Sequence, residues 1–171
     1  MFIGNYMPFT PFHMGPGLLI KSLLNGSFSL MVFGWSQIVM DLQPLFVIIT
    51  GEGHLHGFSH TYAGATLLAI FSIMSGKYLS ELGLRIIGIS KNENPVTISW
   101  LVASISAFIG TFSHVLLDSI MHTDVEPFYP ILLENHLHDL MTVGTLHTLC
   151  LFSALFGAII YFTVQYKSKK A

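Results

Sequence analysis

Charged residues are so sparse along this chain that the intervals between them outline its elements. Val96 to Met121 meets its first charged residue at Asp118, and Val143 to Tyr166 contains none. A hydrocarbon core about 30 Å thick asks for about 20 apolar residues of helix, so both stretches predict spanning helices. Thr61 to Gly76 is shorter, about 24 Å of helix, but His60 can sit at one boundary and Lys77 can snorkel at the other, which makes a third span. Leu30 to Gly51 is the fourth. Asp41 lies in its middle and Pro44 removes a backbone donor there, so this helix is expected to bend or break. His13 to Leu24 is too short to cross alone, and Gly15, Pro16 and Gly17 weaken its start. The expected fold is all-α: an integral membrane helical bundle, four spanning helices plus a short N-terminal half-helix or re-entrant segment, forming a single membrane-embedded domain over residues 1–171.

Composition agrees. Hydrophobic residues make up 52% of the chain and charged residues 9%, with a mean hydropathy of +0.66, which excludes a soluble monomer. The net charge of -2 leaves no basic face for a phosphate backbone, so nucleic acid is excluded as a partner and the lipid bilayer takes its place. Cys150 is the only cysteine, ruling out an intramolecular disulfide and any cysteine-rich zinc site; a small buried packing residue is expected there. No cleavable secretory signal is evident, the amino terminus having no basic region and carrying Pro8, Pro11 and Pro16. Lys77, Arg85 and Lys91 share one connection, and Lys167, Lys169 and Lys170 lie two spans further on, so both regions are expected on the cytoplasmic side. Alternation then puts Gly51–His60 and His122–Thr142 outside, Lys21 inside and His13 outward. The expected location is the cell (inner) membrane, with the polar residues toward the extracytoplasmic face.

The anomaly is nine histidines against seven lysines and arginines, together with acids inside spans. An aspartate near a helix centre costs about 2.5 to 3.5 kcal/mol on insertion scales, so Asp41 and Asp118 need compensation. His114 precedes Asp118 by one helical turn, which puts both on one face at a spacing that suits two ligands of one metal, and His56 and His60 repeat it. On the topology above His60, His114, Asp118 and His122 fall toward the outer side and Asp41 lies at mid-depth beside the kink, so they can converge. Two ionised aspartates with neutral histidines would leave -2 in low dielectric, which one divalent cation cancels. Imidazole and carboxylate suit zinc, with manganese or iron as alternatives, and argue against calcium. One metal with a water, or two metals sharing an aspartate, would each generate hydroxide near neutral pH, and hydrolysis is the natural chemistry.

The strings Met7-Pro-Phe-Thr-Pro-Phe-His13-Met-Gly-Pro-Gly17, Asp41-Leu-Gln-Pro44, His56-Gly-Phe-Ser-His60-Thr-Tyr-Ala-Gly-Ala65, His114-Val-Leu-Leu-Asp118 and Met121-His-Thr-Asp-Val-Glu-Pro-Phe-Tyr-Pro130 occur in this order. Together they span nearly the whole chain, which resembles the small membrane-bound metal-dependent hydrolases related to the YdjM family. The resemblance implies a metal held by His13, Asp41, His60, His114 and Asp118. One departure is Gln43, where that family carries a glutamate before the proline, so a second carboxylate is missing there.

Asp124 and Glu126 follow the His114 helix directly and are the candidate catalytic proton acceptors, with His122 beside them as a further candidate for supporting the ligands. His54, His136 and His138 sit among loop acids, where solvent exposure is the default; His147 lies one turn into the last helix, either facing the bundle or at the interface. Tyr62, Trp100, Tyr161 and Tyr166 read as interface anchors, and Gly15, Gly17, Gly64 and Gly110 as sites of close helix approach. No His-Glu-x-x-His, Gly-x-Ser-x-Gly or glycine-rich phosphate loop is present. The expected function is metal-dependent hydrolysis at the outer membrane face, a metal-activated water attacking an ester, phosphoester or amide of a lipid or lipid-linked substrate. Two competitors use the same residues: an ion or proton transporter, and a non-catalytic membrane protein with a structural metal.

Overall fold

Each uncharged stretch becomes helix, and serines and threonines set where the helices begin. In the computed structural model, which describes residues 11–170, the chain forms α1 (Met14–Leu24), α2 (Leu30–Met40), α3 (Leu42–Thr50), α4 (Tyr62–Ile86), α5 (Trp100–Met121) and α6 (Val143–Ser168), with no strand among the described residues. The side chains of Ser29, Thr61, Ser99 and Thr142 accept hydrogen bonds from the N–H groups of Val32, Gly64, Val102 and Thr145, satisfying donors that a helix start leaves free. Leu30–Thr50, Tyr62–Ile86, Trp100–Met121 and Val143–Ser168 are long and apolar enough to cross a membrane. Large apolar side chains such as Ile86, Leu151 and Phe162 are exposed on the outside of the bundle, as lipid-facing surfaces are. The part of the first motif before Pro11, Met7 to Thr10, lies outside the described residues.

The break expected near Asp41 is present and sits at Asp41 itself. Pro44 cannot donate to the carbonyl of Met40, so the ladder lapses for a turn and resumes with Leu45 N–H on the Asp41 carbonyl at 3.0 Å. The short first segment is a half-helix: α1 is about 16 Å long. Ser29 N–H donates to Ser106 Oγ at 2.8 Å, well inside α5, so the α1–α2 hairpin turns back before the end where α5 begins. Lys21 Nζ closes that turn on the carbonyls of Asn25 and Phe28 at 2.6 and 2.7 Å.

Packing then brings one end of every helix together. A side-chain carbon on Gly15 would meet the Cys150 carbonyl oxygen at 2.1 Å and one on Gly157 would meet Leu19 N at 2.4 Å, so α1 and α6 run parallel with their backbones in contact. Close approach was expected of Gly15 and is found there; Gly157 does the same without having been singled out. Gly64 serves a different purpose, making room for the Phe58 carbonyl of the preceding loop. Met40, Ala65 and Val115 form a buried cluster of α2, α4 and α5, and Leu117, Ile120, Leu146 and Cys150 form another between α5 and α6. Cys150 is free and buried, as a packing residue should be. The start of α1, the end of α2, the start of α4, the end of α5 and the start of α6 are therefore neighbours. Arg85, Lys91 and Lys167 belong to the opposite end.

Candidate metal centre

The 3.6-residue period of α5 puts His114, Asp118 and His122 on one face, with His122 capping the helix through its N–H on the Asp118 carbonyl. Asp41 comes in from the break after α2. His60 ends the tight turn Phe58–His60 that leads into α4, and His13 ends the turn Pro11–His13 that leads into α1. The loop carrying His60 is braced from α3: Ser59 N–H donates to Gln43 Oε1 at 3.0 Å, and Gln43 Nε2 approaches the His54 carbonyl at 3.3 Å. The amide at Gln43 thus acts as donor and acceptor at once, which a glutamate there could not do, and it positions the loop without reaching the cluster.

All five residues carried over as ligands meet. His13 Nε2 lies 3.3 Å from Asp118 Oδ1, His60 Nε2 3.2 Å from Asp118 Oδ2, and His114 Nε2 lies 3.2 Å from Asp118 Oδ2 and 3.3 Å from Asp41 Oδ1. Their exposures are 4% for His13 and Asp118, 7% for Asp41 and nothing for His60 and His114, so bulk water cannot solvate the carboxylates. Among the described residues, both ring nitrogens of His13 and the Nε2 atoms of His60 and His114 make no hydrogen bond. Nitrogen and oxygen donors that face one another without hydrogen bonds are arranged as a cation's ligands are. Donor atoms about 2.0 to 2.1 Å from one ion and tetrahedrally disposed stand about 3.3 Å apart, the separation seen here.

The protonation pattern points the same way. Gln37 Nε2 donates to the Gly110 carbonyl at 2.9 Å, so it is Oε1 that faces His114 Nδ1 at 2.8 Å, and Nδ1 must carry a hydrogen. His114 Nε2 then presents a lone pair to two carboxylates. A single imidazolium between Asp41 and Asp118 would leave one of their two negative charges uncancelled, and Nε2, 3.3 and 3.2 Å from their oxygens, makes a hydrogen bond to neither. Asp41 makes no side-chain capping bond at the start of α3, so accepting backbone N–H groups freed by Pro44 does not account for it. His60 Nδ1 is held by Ser59 Oγ at 2.8 Å, leaving its Nε2 for the cluster. The donor set fits a divalent ion.

A second group stands at the rim. His56 Nδ1 lies 2.9 and 3.0 Å from the two oxygens of Asp124, and the rings of His56 and His122 stack with centroids 4.3 Å apart. Burial lowers the His122 pKa despite the opposing charges of Asp118 and Asp124. Burial alone would raise the Asp124 carboxyl; the hydrogen bond and charge of His56 outweigh it and hold it below the ordinary carboxylate value. Of the two expected catalytic carboxylates, Asp124 is therefore turned to the cluster through His56, whereas Glu126 is exposed. His136 and His138 pair with Glu134 and Asp139 on the surface, and His147 stacks on Phe12 at 4.3 Å, next to His13. Gln37 escaped the sequence reading, although it precedes Asp41 by one helical turn as His114 precedes Asp118; His56 was visible through the same spacing with His60.

No protein-family model, curated protein or solved structure matches the chain.

Proposed function

We propose that this protein is a membrane-embedded metal-dependent hydrolase of the kind its resemblance to the YdjM family implies, holding zinc, or manganese or iron, on His13, Asp41, His60, His114 and Asp118. The observation that carries this is the convergence of two buried carboxylates and three imidazoles whose inward nitrogens lack hydrogen-bond partners. When bound, a divalent ion supplies a Lewis acid and a water that ionises near neutral pH. Asp41 and Asp118 supply the two negative charges that retain it. Gln37 and Ser59 fix the His114 and His60 rings, and Asp124, at the rim, is the carboxylate from which a proton can reach solvent. The excess of lysine and arginine at the opposite end favours an extracytoplasmic site in the cell membrane.

A lipid or lipid-linked substrate is favoured by a groove of about 740 Å³ along α2, lined by Met31, Trp35, Ile38 and Leu79 and ending at Gln37 and Asp41. From Leu30 to Asp41 it follows about 16 Å of helix, so an alkyl or isoprenoid chain can lie in it with its ester or phosphoester end at the cluster. Purified protein should contain tight, stoichiometric metal and hydrolyse some member of a panel of phospholipids and isoprenoid phosphates, with metal and activity both lost in Asp118→Asn. Full activity in metal-free protein would refute the reading; tight metal without hydrolysis would leave a structural centre, and weak, exchangeable occupancy would indicate a transport site.

A further inference from the structure

The rim group has every element of a second ligand set. One ligand atom each from His56, His122 and Asp124 lies within 4.8 Å of the others, and the same holds for His56, His60 and Asp118, which ties the rim to the buried centre. Asp118 also belongs to the group with His13 and His114, so its carboxylate stands between the two sets. A hydrogen-bonded His56–Asp124 pair explains two of the three rim residues and leaves His122 over, its ring lying face to face on His56 at 4.3 Å and 25°. The register of α5 makes the placement of His122 a consequence of that of Asp118, one turn earlier.

We propose that His56, His122 and Asp124 bind a second divalent cation beside the first, the two sites joined through Asp118. The inference rests on the metal-dependent reading above. With neutral imidazoles the three carboxylates Asp41, Asp118 and Asp124 stand at -1 with one dication and at +1 with two, so the charge balance admits a second cation as readily as it admits one alone. Two-metal sites with ions about 3.5 to 4 Å apart clamp the attacking and leaving oxygens of a displacement. Asp124 is then a ligand, and solvent at the rim takes the proton.

The test uses the full chain in detergent or lipid nanodiscs, stripped with a chelator and titrated with manganese(II), reading stoichiometry by metal analysis and coupling by electron paramagnetic resonance. Wild type should bind two ions per chain with an exchange-coupled signal. Asp124→Asn and His122→Asn should each bind one ion with an isolated-ion signal. Asp124 is half exposed, with 51% of its side chain accessible, so its amide variant leaves the bundle intact, and helical circular dichroism checks this. One ion in wild type, unchanged in both variants, overturns the second site and leaves the first standing. Two ions that survive both substitutions, or that show no coupling, also overturn it. No ion in wild type removes the metal-dependent reading itself.

Discussion

Gln37→Leu separates a metal centre from a self-contained polar cluster, because Gln37 would act on a bound metal only through His114. The substitution keeps the volume and removes the acceptor that holds His114 Nδ1–H at 2.8 Å, in a ring with no exposed surface. An unsatisfied buried donor costs about 1 to 3 kcal/mol, and the ring can recover it only by rotating or changing tautomer. Either response withdraws Nε2 from the point it shares with Asp41 and Asp118. Loss of such an outer partner typically lowers metal affinity about 10- to 100-fold, or about 1.4 to 2.7 kcal/mol, and the two ranges overlap. Competition against a chromophoric chelator, with zinc or cobalt and protein in detergent, measures the change directly. Gln37→Glu, which still accepts from Nδ1–H but loses the bond to the Gly110 carbonyl, should retain more of the affinity than Gln37→Leu. Equal affinities for wild type and Gln37→Leu, within about twofold, would refute the argument that Gln37 presents His114 to an ion.

Gly157→Ala should destabilise the protein by about 1 to 3 kcal/mol, because its new carbon would meet Leu18 C and Leu19 N at 2.6 and 2.4 Å, backbone atoms that cannot rotate away. Gly26→Ala, with nothing within 4 Å, is the control, and thermal unfolding in detergent compares the two. The lowered pKa of His122 makes stability depend on pH. Below its ordinary value of 6.5 the unfolded chain takes up a proton that the folded chain refuses, so the His122 contribution is complete above that pH and declines as pH falls through it. Melting temperatures of chelator-treated protein from about pH 8 to about pH 5 should show this decline, and His122→Asn should reduce it. Cys150, being buried, should react with a maleimide only after denaturation, as labelling followed by mass measurement would reveal.

The helices were legible because their signals are local: runs without charge and a proline after Asp41. Their ends were less so: α4 runs past Gly76 and Lys77 to Ile86, and α5 starts at Trp100 instead of Val96, because side-chain caps and packing set the ends. The half-helix was legible too, since residues 13–24 cannot reach across a bilayer whatever they pack against. The ligand set was partly legible, because one-turn spacings such as His114 with Asp118 place two side chains on one face wherever the helix goes. Gln37 and Gln43 were not. Their roles depend on the Gly110 carbonyl and the His54–Ser59 loop, partners distant along the chain or on another element, and an amide has no distinctive value until its partners are known. Whether five ionisable groups on separate segments come within reach of one another is set by helix pairing and depth, here by α1 seated on α6 at Gly15 and Gly157 and by the break at Asp41. The amino-acid order determined which residues lie in an apolar bundle and need compensation. Only the packed structure decided that they compensate one another in one place, because that depends on contacts between helices and not on periodicity within any of them.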